Sequence, residues 1–176
     1  SATGSKELMD KVLTRQSIFG TAGGTFSTWL VQRSMQTLGL RMTRQMENAD
    51  KLARALEKDP HVIKVNYPTV DKYPQKELAA RLFKNGICGA MLSFEMPSDR
   101  AKINEFMKRL NICHYAPTLG GVRTTMSHPA TSSHRDLPDE MKKALGITEG
   151  LMRISVGIEK AEDLIADFTQ ALKAFD

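Results

Sequence analysis

After Trp29, apolar residues return at steps of three and four: Val31, Met35, Leu38, Met42, Met46, Ala49, Ala53 and Leu56. That period predicts one long amphipathic helix, capped at its start by Ser27 and closed by Asp59-Pro60. Gly39 lies inside it and predicts a bend, because glycine is a poor helix former. A shorter helix, Glu7 to Arg15, precedes it, and the glycines between 20 and 24 separate the two. Beyond Pro60 the pattern changes. His61 to Tyr67 and the apolar run Ile87 to Phe94 read as strands, as do Asn111 to Ala116 and Leu151 to Val156. Helices are expected at Gln75 to Lys84, from Ser98-Asp99 through Leu110, at Pro138 to Leu145 and at Glu159 to Phe175. Residues 117–137 show no period and are rich in Gly, Pro, Ser, Thr and His; such a stretch is more often functional than idle.

This order predicts an α/β fold (mixed α and β) in layers, with helices on one side of a small sheet and a long helix in front of it. No repeat or low-complexity segment interrupts it. The 176 residues suffice for one ordinary domain, and 41% apolar with 26% charged residues is the composition of a folded chain. No apolar run approaches the ~20 residues of a membrane span, and Ser1 to Lys6 has no signal-peptide core, so a cytoplasmic protein without a membrane partner is expected. The net charge of +5 is dispersed among acids and aromatics are only 6%, which argues against a nucleic-acid partner. Cys88 and Cys113 lie in separate apolar runs and read as small buried hydrophobes in a reducing compartment, although one disulfide is compatible with their number.

Several constellations point to chemistry, with unequal force. His128 and His134 lack the further ligands a zinc site needs, and are expected to hold their loop by hydrogen bonds. Ser132-Ser133-His134 has no Gly-x-Ser-x-Gly elbow, and neighbours in sequence do not make a nucleophile and its base. Gly120-Gly121 alone is poor grounds for a phosphate cradle. Arg153 stands between Met152 and Ile154 in an otherwise apolar strand. It reads either as the solvent-side residue of a half-buried strand, or as a guanidinium aimed into a cleft to clamp a carboxylate.

The segment Pro117-Thr-Leu-Gly-Gly-Val-Arg-Thr-Thr-Met-Ser-His-Pro-Ala-Thr-Ser-Ser-His134 and the segment Leu145-Gly-Ile-Thr-Glu-Gly-Leu-Met-Arg-Ile-Ser-Val-Gly-Ile-Glu159 strongly resemble the Cys/Met-metabolism family of pyridoxal-phosphate (PLP) enzymes. These are the trans-sulfuration enzymes: cystathionine synthases and lyases, methionine γ-lyase and acyl-homoserine sulfhydrylases. Tyr67-Pro68, Pro74-Gln-Lys-Glu-Leu-Ala79, Gly89-Ala-Met-Leu-Ser-Phe94 and Trp29-Leu-Val-Gln-Arg-Ser-Met-Gln-Thr-Leu38 carry the likeness over nearly the whole chain.

The resemblance implies the C-terminal domain of an aminotransferase-type (fold type I) enzyme, with a small, mostly antiparallel sheet. It implies a tail of the large cofactor domain at 1–26, a linking helix at 27–58 and the C-terminal domain at 59–176. It assigns Arg153 to the substrate α-carboxylate, helped by Thr118 where the family usually has Ser, with Leu119 on the site wall. Ser133 stands where a Thr commonly lines the pocket, and Arg123 where the family commonly has Glu. Pyridoxal phosphate is the implied cofactor, a sulfur amino acid the substrate and a homotetramer the assembly. The family's Schiff-base lysine falls upstream of Ser1, and Lys6 does not align with it. No catalytic, cofactor-binding or metal-binding residue is therefore expected here, and the chain alone is expected to be inactive and to bind no cofactor. The alternative is an inert binding or oligomerisation module derived from the family.

Overall fold

A computed structural model describes residues 2–86 and 88–176, excluding the side chain of Asn85. The chain divides into two compact units, residues 1–39 and 40–176.

In the first unit, helix α1 (Lys6–Phe19) is capped by the Ser5 hydroxyl, which accepts from Leu8 N–H, and ends at Gly20 in the left-handed region. Helix α2 (Thr25–Met35) has Gly24 at its cap position, three residues before the predicted cap Ser27, and carries the Phe26–Trp29 ring pair. Neither helix has a buried residue.

Helix α3 (Leu38–Lys58) follows after a turn at 36–37. The predicted long helix is thus two, and the break falls just before Gly39, which α3 accommodates within its first turn. On α3 the buried face is Gln45, Asn48, Ala49, Leu52, Ala53 and Leu56. Ala49, Ala53 and Leu56 belong to the predicted stripe, and two polar residues join it.

The second unit has a five-stranded sheet in the order β1-β2-β5-β4-β3. The strands are β1 (Lys64–Asn66), β2 (Met91–Glu95), β3 (His114–Tyr115), β4 (Thr125–Ser127) and β5 (Leu151–Ser155). All pairings are antiparallel except β3 with β4. Each strand is shorter than its sequence run. Asp59 turns the chain at His61, accepting its N–H, so β1 pairs fully only from Lys64. The predicted Ile87 start of β2 lies outside the described residues. Strand β4 was not foreseen at all: it lies within the aperiodic stretch 117–137.

Between the strands run α4 (Lys76–Leu82), α5 (Arg100–Arg109), α6 (Asp139–Ala144) and α7 (Ala161–Leu172). Asp99 caps α5 by accepting from Ala101 and Lys102 N–H. Alternation splits the sheet into two faces. Val65, Leu92, Phe94, Met126, Met152 and Ile154 point to the core, all 6% exposed or less. There Phe94 meets Phe106 of α5 and Phe168 of α7, each at 6.1 Å between ring centroids. The three rings and the α3 stripe close this face with helices. The other face is polar: Asn66, Ser93, Thr125, Ser127, Arg153 and Ser155.

Candidate active site

Arg153 sits on the central strand β5, on the polar face, directly across from Ser93 of β2 and Ser127 of β4. Its side chain is half-buried, and among the described residues it makes no hydrogen bond or ion pair. Arg153 points away from the core, onto the sheet's polar face, which is compatible with both readings of the sequence.

The segment 118–124 is fastened above that face. Gly120 N–H donates to Ser155 Oγ at 3.0 Å, and the Thr125 hydroxyl donates to Thr118 C=O at 3.1 Å. Gly120 takes φ 74°, which glycine adopts without the Cβ penalty of other residues. Ser155 and Arg153 are two apart on one strand, about 7 Å along the same face. Thr118 and Leu119 are thereby held near the Thr125–Ser155 pair, both exposed.

A buried polar network fixes the other end of this segment. Thr124 N–H donates to Glu159 Oε1 at 2.6 Å and its hydroxyl to Oε2 at 2.8 Å, while Gly157 N–H donates to the Thr124 hydroxyl. Helix α3 joins in: Gln45 Nε2 donates to Gly121 C=O, and Asn48 Nδ2 to the carbonyls of Gly157 and Glu159. Gly157 is indispensable to the approach, since a Cβ there would lie 2.5 Å from the Val122 carbonyl oxygen and 2.6 Å from the Arg123 carbonyl carbon. The Arg123 backbone is therefore held firmly beyond β5, and its side chain is exposed. Gln45, Asn48 and Glu159 escaped the sequence reading. The first two do fall in phase with Leu52 and Leu56, the signal that could have flagged them.

Ser133 is not joined to this set. It is exposed, and its hydroxyl pairs with His134 Nδ1 at 2.8 Å. His128 is buried with both ring nitrogens used, Nε2 on the Glu149 carbonyl at 2.7 Å and Nδ1 with the Thr131 hydroxyl at 2.9 Å. That is the loop-holding role expected from sequence. Cys88 and Cys113 are both free, and burial pushes the Cys113 thiol up to about 12. Asp167 of α7 holds the entry to β3, accepting the backbone N–H groups of Asn111, Ile112 and Cys113. Burial alone would raise its pKa, but those donors and Gln170 hold it below the usual carboxylate range.

A model of the Cys/Met metabolism PLP-dependent enzymes matches residues 2–173. The chain belongs to that family. It is 38% identical over 171 residues to a cystathionine β-lyase of Lactococcus lactis subsp. cremoris, covering 97% of this chain and 44% of the relative. A cystathionine γ-lyase of Bacillus subtilis is 40% identical, with the same coverage. The crystal structure of a cystathionine γ-synthase from Xanthomonas oryzae pv. oryzae, solved with aminoacrylate and cysteine, superposes with a TM-score of 0.85 at 35% identity. It covers 97% of this chain and 43% of that one. The chain thus spans less than half the length of these family members, and its fold is that of the C-terminal part of fold type I PLP enzymes.

Members of the family depend on pyridoxal phosphate. When bound, that cofactor supplies an electron sink, and no chemical step through it is assigned to the residues described here. Among the described residues no helix is long and apolar enough to cross a membrane.

Proposed function

We propose that this chain forms the substrate α-carboxylate site of a cytoplasmic PLP-dependent enzyme of sulfur amino-acid metabolism. The reaction class is β- or γ-elimination, or γ-replacement, on cysteine, methionine, cystathionine or an O-acyl-homoserine. Arg153 is the clamp, Thr118 supplies a hydroxyl beside it, and Leu119 and Ser133 line the approach. Arg123 faces the distal end of the substrate and favours an acidic or carbonyl-bearing group there.

One observation carries the reading. Arg153, half-buried on the central strand, has no hydrogen bond or ion pair among the described residues, although Ser93 opposite it and Ser155 two residues on are both hydrogen-bonded. A charge drawn partly out of water without a partner is disfavoured, so such a side chain suits an anion that arrives from outside. A planar fork is matched to a carboxylate, which it takes by two parallel N–H···O bonds.

The reading is tested in the full-length enzyme loaded with its cofactor, by Arg153→Lys. Lysine keeps the charge and loses the fork. KM for cystathionine or methionine is expected to rise by more than about tenfold, the worth of one good charge-assisted hydrogen bond. An unchanged KM overturns the assignment. Residues 1–39, with Ile18, Phe19, Phe26 and Trp29 all more than half exposed, support burial of this unit in a larger homo-oligomer, and equally in the inert-module alternative. A full-length protein that shows no turnover with its cofactor would favour the module.

A further inference from the structure

The pairing register places four polar side chains in one line across the sheet. Asn66 of β1 is opposite Ser93 of β2, Ser93 is opposite Arg153 of β5, and Arg153 is opposite Ser127 of β4. Directly opposite residues share a face, with Cβ atoms about 5 Å apart. Arg153 is thus flanked on both sides by a serine hydroxyl.

The two serines are in different states. Ser93 Oγ accepts from Asn66 Nδ2 at 3.1 Å. Ser127 is 2% exposed, and its Oγ is buried without a hydrogen-bond partner among the described residues. Buried hydroxyls are nearly always partnered, so an orphan on the residue paired with Arg153 calls for an explanation. The chain just after Ser127 is fixed as well. The next residue, His128, is locked through both ring nitrogens, and its carbonyl accepts from Ser132 N–H and from the Ser132 hydroxyl.

Guanidinium chemistry completes the picture. The group has five N–H donors, and a bidentate carboxylate uses two. The other three need acceptors once the site is closed over by substrate. Ser127 Oγ, with both lone pairs free, is an acceptor on one flank, and Ser93 Oγ has one lone pair left on the other.

We propose that Ser127 is a positioning residue for Arg153, its hydroxyl oxygen accepting an N–H that the substrate carboxylate leaves unused. The hydroxyl fixes the plane of the fork and so the direction from which the carboxylate is taken. Ser93, held by Asn66, braces the opposite flank. This inference rests on the assignment of Arg153 to the carboxylate.

The test uses the full-length, cofactor-loaded enzyme and two probes that differ only in the carboxylate, glycine and methylamine. Equilibrium binding is followed by calorimetry, together with thermal unfolding. Ser127→Ala is expected to weaken glycine about tenfold, to leave methylamine unchanged and to leave the unfolding temperature unchanged or higher, since an unsatisfied buried group is removed. In an Arg153→Lys background the same substitution is expected to cost nothing more. Ser127→Thr, which keeps the hydroxyl, is expected to bind glycine more tightly than Ser127→Ala. If Arg153→Lys weakens glycine but Ser127→Ala does not, the positioning role is overturned and the carboxylate assignment stands. If Arg153→Lys leaves glycine binding intact, that assignment fails first. Equal losses for both probes, or a variant that no longer folds, show a purely structural hydroxyl and also overturn the proposal.

Discussion

Asp167→Asn removes one oxygen from a carboxylate that organises the entry to β3. Asp167 is 5% exposed. Its Oδ1 accepts Asn111 N–H at 2.9 Å, and its Oδ2 accepts Ile112 N–H at 2.9 Å and Cys113 N–H at 3.3 Å. In either orientation the asparagine NH2 faces two donors, Ile112 and Cys113 N–H or Asn111 N–H and Gln170 Nε2. Each unsatisfied group costs about 1–3 kcal/mol, for a total of roughly 3 kcal/mol. At roughly 4 °C per kcal/mol for a unit of this size, the melting temperature should fall by about 12 °C near neutral pH.

The same carboxylate predicts a pH signature. Its folded pKa is depressed, so its stabilisation is present above the unfolded value of about 3.9 and is lost as pH falls through the folded value. The stability gap between wild type and Asp167→Asn should therefore be widest near pH 7 and narrow below about pH 4. Urea unfolding at several pH values measures both quantities. A variant that melts with the wild type at pH 7, or a gap that stays constant into acid, would refute the reasoning.

Two further substitutions test the segment above the polar face. Gly157→Ala puts a Cβ 2.4 Å from Glu159 Oε2 and 2.5 Å from the Val122 carbonyl oxygen, so the Thr124–Glu159 clamp must open. A loss of about 2 kcal/mol or more is expected by denaturant unfolding, with weaker amino-acid binding by the full-length enzyme, and an unchanged protein would show that the approach is loose. Arg123→Glu, at an exposed position, is expected to leave stability within about 0.5 kcal/mol and to shift preference away from substrates with an acidic distal group. Unchanged relative kcat/KM across such substrates would remove Arg123 from the specificity argument.

How much of this was legible in the sequence depended on what each signal measured. Periodicity reports burial, so it located the helices and the apolar halves of β2 and β5, including Phe94, Ile103, Phe106, Leu164 and Phe168 of the core. It failed where buried positions are polar. Gln45 and Asn48 are 1% and 0% exposed, yet they broke the stripe of α3 because they serve the carbonyls of Gly121, Gly157 and Glu159. It failed again at β4, where three residues between a glycine-rich segment and a one-turn helix are too few to display a period. A bend in one continuous helix was expected at Gly39, but α3 holds that glycine and the chain breaks at the turn 36–37.

The site follows the same rule from the opposite side. Motif resemblance drew attention to Arg153, Thr118 and Leu119, because it matches residues to residues. It could not supply Ser127 or Ser93, whose significance comes from strand register alone. Arg153 and Ser127 are 26 positions apart and become neighbours only because β4 and β5 run antiparallel in one alignment. Sliding that register by a single residue would put Met126 beside the guanidinium and bury Ser127 in the aromatic core. What fixes the register is the hydrophobic alternation itself: Met126, Met152 and Ile154 must all face Phe94, Phe106 and Phe168. The polar row is therefore a consequence of the core on the reverse face, and the carboxylate site is only as well aligned as that core is well packed.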